Sequence, residues 1–167
     1  MDPVALLAVA SRRMACPGLA AFAVLLALHA PPGFAQPPFF FEGDMVTGRP
    51  PAGVKAPVCV LASQFRRNET VVWRVRVLDA ASGQALDDKT LKTVHVELPD
   101  GQKFPMKFGP HPPKGQPADH FWAISWRIPA DYPTGTLSYT VSAVDQQGRS
   151  ATWQPFRMAP SQLTVVP

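Results

Sequence analysis

From residue 57 to the end of the chain, apolar side chains recur at every second position, and after residue 35 no amphipathic helical stretch interrupts them. Val71, Val75 and Val77, with Trp73 among them, alternate with Val72, Arg74, Arg76 and Leu78. An extended chain sends successive side chains to opposite faces, so this is a half-buried strand, apolar within and cationic without. Val94, Val96 and Leu98 alternate with Thr93, His95 and Glu97, then Pro99-Asp-Gly101 marks a turn and Phe104, Met106 and Phe108 resume on one face. Asp-Gly tolerates the positive φ of a tight turn, which makes this a hairpin signal. Trp122, Ile124, Trp126 and Ile128 form a further inward face. Leu137, Tyr139, Val141 and Ala143 form another, ended by Asp145-Gln-Gln-Gly148. Val58, Val60 and Ala62 predict a short first strand, and Thr152–Met158 with Leu163–Val166 the last ones.

About seven short strands separated by turns predict an all-β fold, an antiparallel β-sandwich over residues 57–167, with a small closed barrel as the alternative. A parallel α/β sheet is excluded, because its crossover helices are missing. With 167 residues the chain holds one domain with tails.

Residues 1–35 read as an address. Arg12 and Arg13 precede the apolar run Leu19–Leu28, and Pro31-Pro-Gly33 and Ala35 follow. A basic start, an apolar stretch of about ten residues and a small residue at the cut are the parts of a secretory signal peptide. The run is shorter than the roughly 20 apolar residues that a bilayer span requires, so no membrane span is expected in the mature chain. Cleavage is expected after Ala35, leaving Cys59 as the sole cysteine, and the compartment is periplasmic or extracellular. The formal net charge of +4 falls by one when the leader leaves, and the Lys/Arg residues do not cluster beyond Arg66-Arg67, so no nucleic-acid partner is expected.

Residues 36–56 are rich in proline and carry the triplet Phe39, Phe40, Phe41. Proline cannot donate to a sheet ladder, so an extended N-terminal arm is expected. Alternation would place Phe39 and Phe41 on one side and Phe40 on the other, one side resting on the domain and the other engaging a partner.

Several stretches resemble bacterial immunoglobulin-like modules: Glu69-Thr-Val-Val-Trp-Arg-Val-Arg-Val77, Val94-His-Val-Glu-Leu-Pro-Asp-Gly101, Trp126-Arg-Ile-Pro-Ala-Asp-Tyr-Pro-Thr-Gly-Thr136 and Tyr139-Thr-Val-Ser-Ala-Val-Asp145. The run Ile128–Thr136 leading into Tyr139–Arg149 is similar to the E–F corner and F–G hairpin of fibronectin-III-like and macroglobulin-like extracytoplasmic domains. The resemblance implies an Ig-like sandwich outside the cytoplasm. It implies no disulfide, since the cysteine pair of antibody-type domains is missing, and such modules bind or space far more than they catalyse.

Candidate sites follow. Gly109–His120 reads as a twelve-residue loop with four prolines and two histidines, stiff enough to be preorganised for a partner. Its residues His111, Pro112, Pro113 and His120, with Phe39, Phe40 and Phe41, form the expected surface for an extracytoplasmic protein. His111 and His120 are also the candidate metal ligands, since imidazole suits copper. A blue-copper centre is not expected, because Cys59 stands in the first predicted strand with no histidine beside it. Glycan binding is a further alternative, for which Trp153 is the one tryptophan not placed on an inward face. No nucleophile motif is present, and Asp87-Asp88 and Asp119-His120 read as loop residues, so no enzymatic activity and no obligate cofactor are expected.

Overall fold

A computed structural model describes residues 36–111 and 119–167. The expected leader, residues 1–35, and the loop prolines Pro112 and Pro113 lie outside the described residues. The chain is all-β. In order the strands are β1 (Phe39–Thr47), β2 (Gln64–Arg66), β3 (Thr70–Asp79), β4 (Leu91–Glu97), β5 (Lys103–Pro105), β6 (Lys107–His111), β7 (Asp119–Arg127), β8 (Gly135–Leu137), β9 (Thr140–Asp145), β10 (Ser150–Trp153) and β11 (Leu163–Val166). The helical content of the described residues is one 3-10 turn at Ala159–Ser161. No helix among them is long and apolar enough to cross a membrane.

The strands form three sheets. One has the order β1-β3-β7-β6, a second β10-β9-β4-β5, and both are antiparallel throughout. The third, β2-β11-β8, pairs β11 antiparallel to β8 but parallel to β2. The alternation read along 71–77 is realised in β3, which buries Val71, Trp73, Val75 and Val77 and turns Arg74 and Arg76 outward. Trp73 is fully buried and brings the first two sheets together. Its ring lies 6.1 Å from Trp126 of β7, 6.1 Å from Phe104 of β5 and 5.9 Å from Tyr139, the residue just before β9. Each such aromatic contributes on the order of 1.5–3 kcal/mol by leaving water. The turns are held by carboxylates. Asp145 accepts the backbone N–H groups of Gln147 and Arg149 at 2.9 and 2.8 Å, closing the β9–β10 hairpin. Gly148, in that hairpin, has φ +82°, where a side chain would be strained.

Four expectations are corrected. Eleven short strands in three sheets among the described residues replace the expected seven: the alternation through Phe104–Phe108 is divided between β5 and β6, that from Leu137 to Ala143 between β8 and β9, and β1 and the three-residue β2 were not expected as strands. The arm expected over residues 36–56 is in part a strand of the first sheet: β1 pairs with β3 from Phe39↔Asp79 to Thr47↔Val71, and Phe39 is buried in the core. Its prolines flank the strand rather than interrupt it. The first strand expected at 58–62 is an irregular segment, with Val58, Val60 and Leu61 exposed. The loop expected from Gly109 to His120 is narrower, since Pro110↔His120 and His111↔Asp119 are ladder pairs between β6 and β7. Pro110 is tolerated because β6 is an edge strand.

Candidate functional site: a groove beside an edge strand

β1 is the edge of the first sheet and β10 the edge of the second, and the two come together along one flank. Between them, and bounded by the 3-10 turn, runs a groove of about 450 Å³. Met45, Tyr139 and Trp153 line it from within, and Leu61 and Phe156 stand at its rim. Gly43 creates the space. A β-carbon there would lie 3.1 and 3.2 Å from two ring atoms of Trp153, so only glycine lets the indole approach the β1 backbone this closely. Phe41 stacks on Trp153 with centroids 6.5 Å apart, and Tyr139 meets it edge-on at 6.3 Å.

The rim is more apolar than a solvated surface requires. Phe156 is 79% exposed and Leu61 68%. Single exposed apolar residues are ordinary, but here two line one concave surface. The nearest charge is already neutralised: Arg74 donates from Nε and Nη2 to the two Asp44 oxygens at 2.8 and 2.6 Å. This forked pair holds the guanidinium above its usual pKa, chiefly through the hydrogen bond itself. Burial pushes the Tyr139 phenol up, so it stays protonated near neutrality. The groove therefore presents aromatic surface and uncharged polar groups.

The outward face of the first sheet is different. Arg74 and Arg76 stack on Phe121, 5.2 and 4.6 Å from its ring centre, while Arg76 lies 3.1 Å from Asp119 and 3.8 Å from Glu42. Exposed pairs of this kind contribute about 0–1 kcal/mol each.

The residues singled out in the sequence are dispersed. Phe39 is in the core under the Arg149 guanidinium, Phe40 is exposed on the outward face, and Phe41 lies half-buried against the groove. His111 and His120 are not brought together. They stand one register step apart on paired strands, so their side chains leave opposite faces of the sheet. His120 lies against Phe108 at 5.7 Å, and His111 against Phe121 at 6.2 Å. Among the described residues, no three His, Cys, Asp or Glu side chains come together as a metal would require. Met106 and Met45 are buried in the core, and Cys59 is exposed. Asp87 accepts hydrogen bonds from the Thr90 hydroxyl and from the N–H groups of Lys89 and Thr90, the work of a turn residue. Asp119 faces Arg76 rather than His120. Sequence reasoning did not anticipate Gly43, Leu61 or Phe156. The readable signal was Trp153 followed by Pro155-Phe156, an aromatic that no strand could bury.

The chain matches no family model, no curated protein and no solved structure.

Proposed function

We propose that this chain is an exported, non-catalytic immunoglobulin-like binding module of the periplasm or cell exterior, and that it engages another extracytoplasmic protein through the groove between β1 and β10. The observation that carries this reading is the concave aromatic surface of Met45, Tyr139 and Trp153 with Phe156 and Leu61 exposed at its rim. A rigid aromatic floor with a small number of polar groups suits an apolar side chain of a protein partner. The neutralised Asp44 leaves little for a charged small molecule to recognise. The expected partner surface thereby moves from a free arm to the flank that β1 helps to build. The signal-like residues 1–35 and the resemblance of Ile128–Arg149 to extracytoplasmic modules support the compartment.

The test is affinity capture from the native periplasm with wild-type protein and with Phe156→Asp, whose exposed position leaves the core untouched. A protein retained by the wild type and lost with Phe156→Asp is the expected result. Equal capture by both overturns the groove as the binding surface. Retention on immobilised neutral oligosaccharides, lost with Phe156→Asp, would assign the aromatic surface to glycans instead.

A further inference from the structure

The groove lies beside a line of unpaired backbone groups. Pro38 C=O accepts from Ala80 N–H at 3.0 Å, and Gly48 N–H donates to Thr70 C=O at 2.7 Å. With the β1–β3 register, these two bonds place the even-numbered residues of β1 in the ladder with β3. The odd-numbered residues turn their N–H and C=O groups the other way. At the far end of β1 the chain itself covers them: Thr47 N–H donates to Val60 C=O at 2.8 Å, Cys59 N–H to Thr47 C=O at 2.7 Å and Ala62 N–H to Met45 C=O at 3.1 Å. This segment runs antiparallel to β1 and stops there. Phe41 and Gly43, next along the same edge, have no backbone partner on that side among the described residues. Gly43 is exposed.

We propose that an extended segment of the partner protein adds as a strand alongside Phe41–Gly43, continuing the line that Cys59–Ala62 begins. The inference rests on the binding-module reading and names the partner's chemistry. Backbone groups spaced at two-residue intervals are complemented by another extended backbone. The side chains of an added strand alternate between two environments. Those pointing inward meet Trp153, Phe156 and Met45, and are apolar. Those pointing outward lie beside Glu42 and Asp44, the acidic residues on β1 itself, whereas Arg74 and Arg76 stand one strand further away. Asp44 is bound by Arg74, but Glu42 is exposed with its nearest cation at 3.8 Å. A basic residue opposite Glu42 completes the match. The occupant is therefore a short strand alternating apolar with lysine or arginine.

The test pans a displayed library of random peptides, about twelve residues long, against the purified full chain, and measures amide hydrogen exchange with and without the peptides recovered. Enriched sequences with apolar residues at every second position and Lys or Arg between them are expected. Binding should slow exchange of the Phe41 and Gly43 amides at least about tenfold, as new ladder hydrogen bonds do. Glu42→Gln, an exposed change that places no like charge beside Arg76, should weaken these peptides by about three- to tenfold and shift the melting temperature no more than the loss of one exposed ion pair does. Peptides that bind and are lost with Phe156→Asp, yet leave Phe41 and Gly43 exchange unchanged, overturn strand addition while the groove reading stands. Enrichment of no alternating peptide also overturns strand addition, and the groove reading is then decided by periplasmic capture alone.

Discussion

Trp153 lies against Gly43 so closely that a β-carbon on the glycine would sit 3.1 Å from the indole ring. The contact joins the edge strands of two sheets and sets the width of the groove. Gly43→Val is therefore expected to displace the Trp153 ring into the groove. Overpacking of this kind costs about 1–3 kcal/mol. The β-branched side chain favours a strand, which offsets part of that cost, so the net loss should fall at the lower end. Thermal unfolding and tryptophan fluorescence measure the two effects, and an unchanged emission spectrum would mean that the ring does not move.

A second contact ties the β4–β5 turn to the connection between β7 and β8. The Tyr132 hydroxyl donates to Asp100 Oδ2 at 2.7 Å, its ring packs edge-on against Trp126 at 4.9 Å, and its C=O accepts from Arg67 Nε at 2.7 Å. Burial first, and then the Asp100 carboxylate, push the phenol's pKa up, so it remains a donor through the physiological range. Tyr132→Phe keeps the ring and removes the donor, and should cost about 1.5–3 kcal/mol, the range for hydrogen bonds to charged groups. Asp100→Ala should cost no more in the Tyr132→Phe background than the turn bonds of Asp100 account for, which a double-mutant cycle reads directly.

Stability should fall on the acid side. Burial alone would raise the Asp145 carboxyl, but the Arg149 guanidinium at 2.6 Å, with the N–H groups of Arg149 and Gln147, holds it below its ordinary value. Asp79, Asp87 and Asp100 are shifted in the same direction. A carboxyl that is lower in the folded than in the unfolded chain stabilises the fold above its unfolded value of ~3.9. That contribution is lost as pH falls through this value toward the folded one. The melting temperature should be nearly level from neutrality to about pH 5 and drop below about pH 4. Asp145→Asn should lower it at pH 7 and flatten the acid limb, and a limb as steep as that of the wild type would remove Asp145 from the explanation.

Because His111 and His120 leave opposite faces of the sheet, they should not act as one ligand pair. In a Cu(II) titration, His111→Ala and His120→Ala should each change the apparent affinity by less than about twofold, since neither removes a partner of the other. A tenfold loss with either variant would show that the two imidazoles meet.

Long strands were legible and short or exposed ones were not. β3 could be read at Val71–Val77 because ten residues give a complete alternation against a common core. β1 was obscured, since three adjacent phenylalanines and flanking prolines hide its two faces, and only pairing with β3 distinguishes a buried Phe39 from an exposed Phe40. The converse error arose at Val58–Ala62, where the alternation is present but the side chains of Val58 and Val60 meet solvent. Local pattern reports which faces exist and not whether anything covers them. The groove was beyond reach for the same reason. Gly43 and Trp153 are far apart in sequence, and nothing near either residue indicates that they touch.

The position of β11 has a consequence for how the fold is reached. Leu163–Val166 is the middle strand of its sheet, with Gln64–Arg66 on one side and Gly135–Leu137 on the other. Those two segments have no sheet to join until Leu163–Val166 are present. Closing so long a loop is entropically slow, and chains dominated by such distant pairings fold in milliseconds to seconds rather than microseconds. A partly synthesised chain that still lacks Leu163–Val166 is thus held short of its native state, because the strand that joins β2 to β8 has not yet been made.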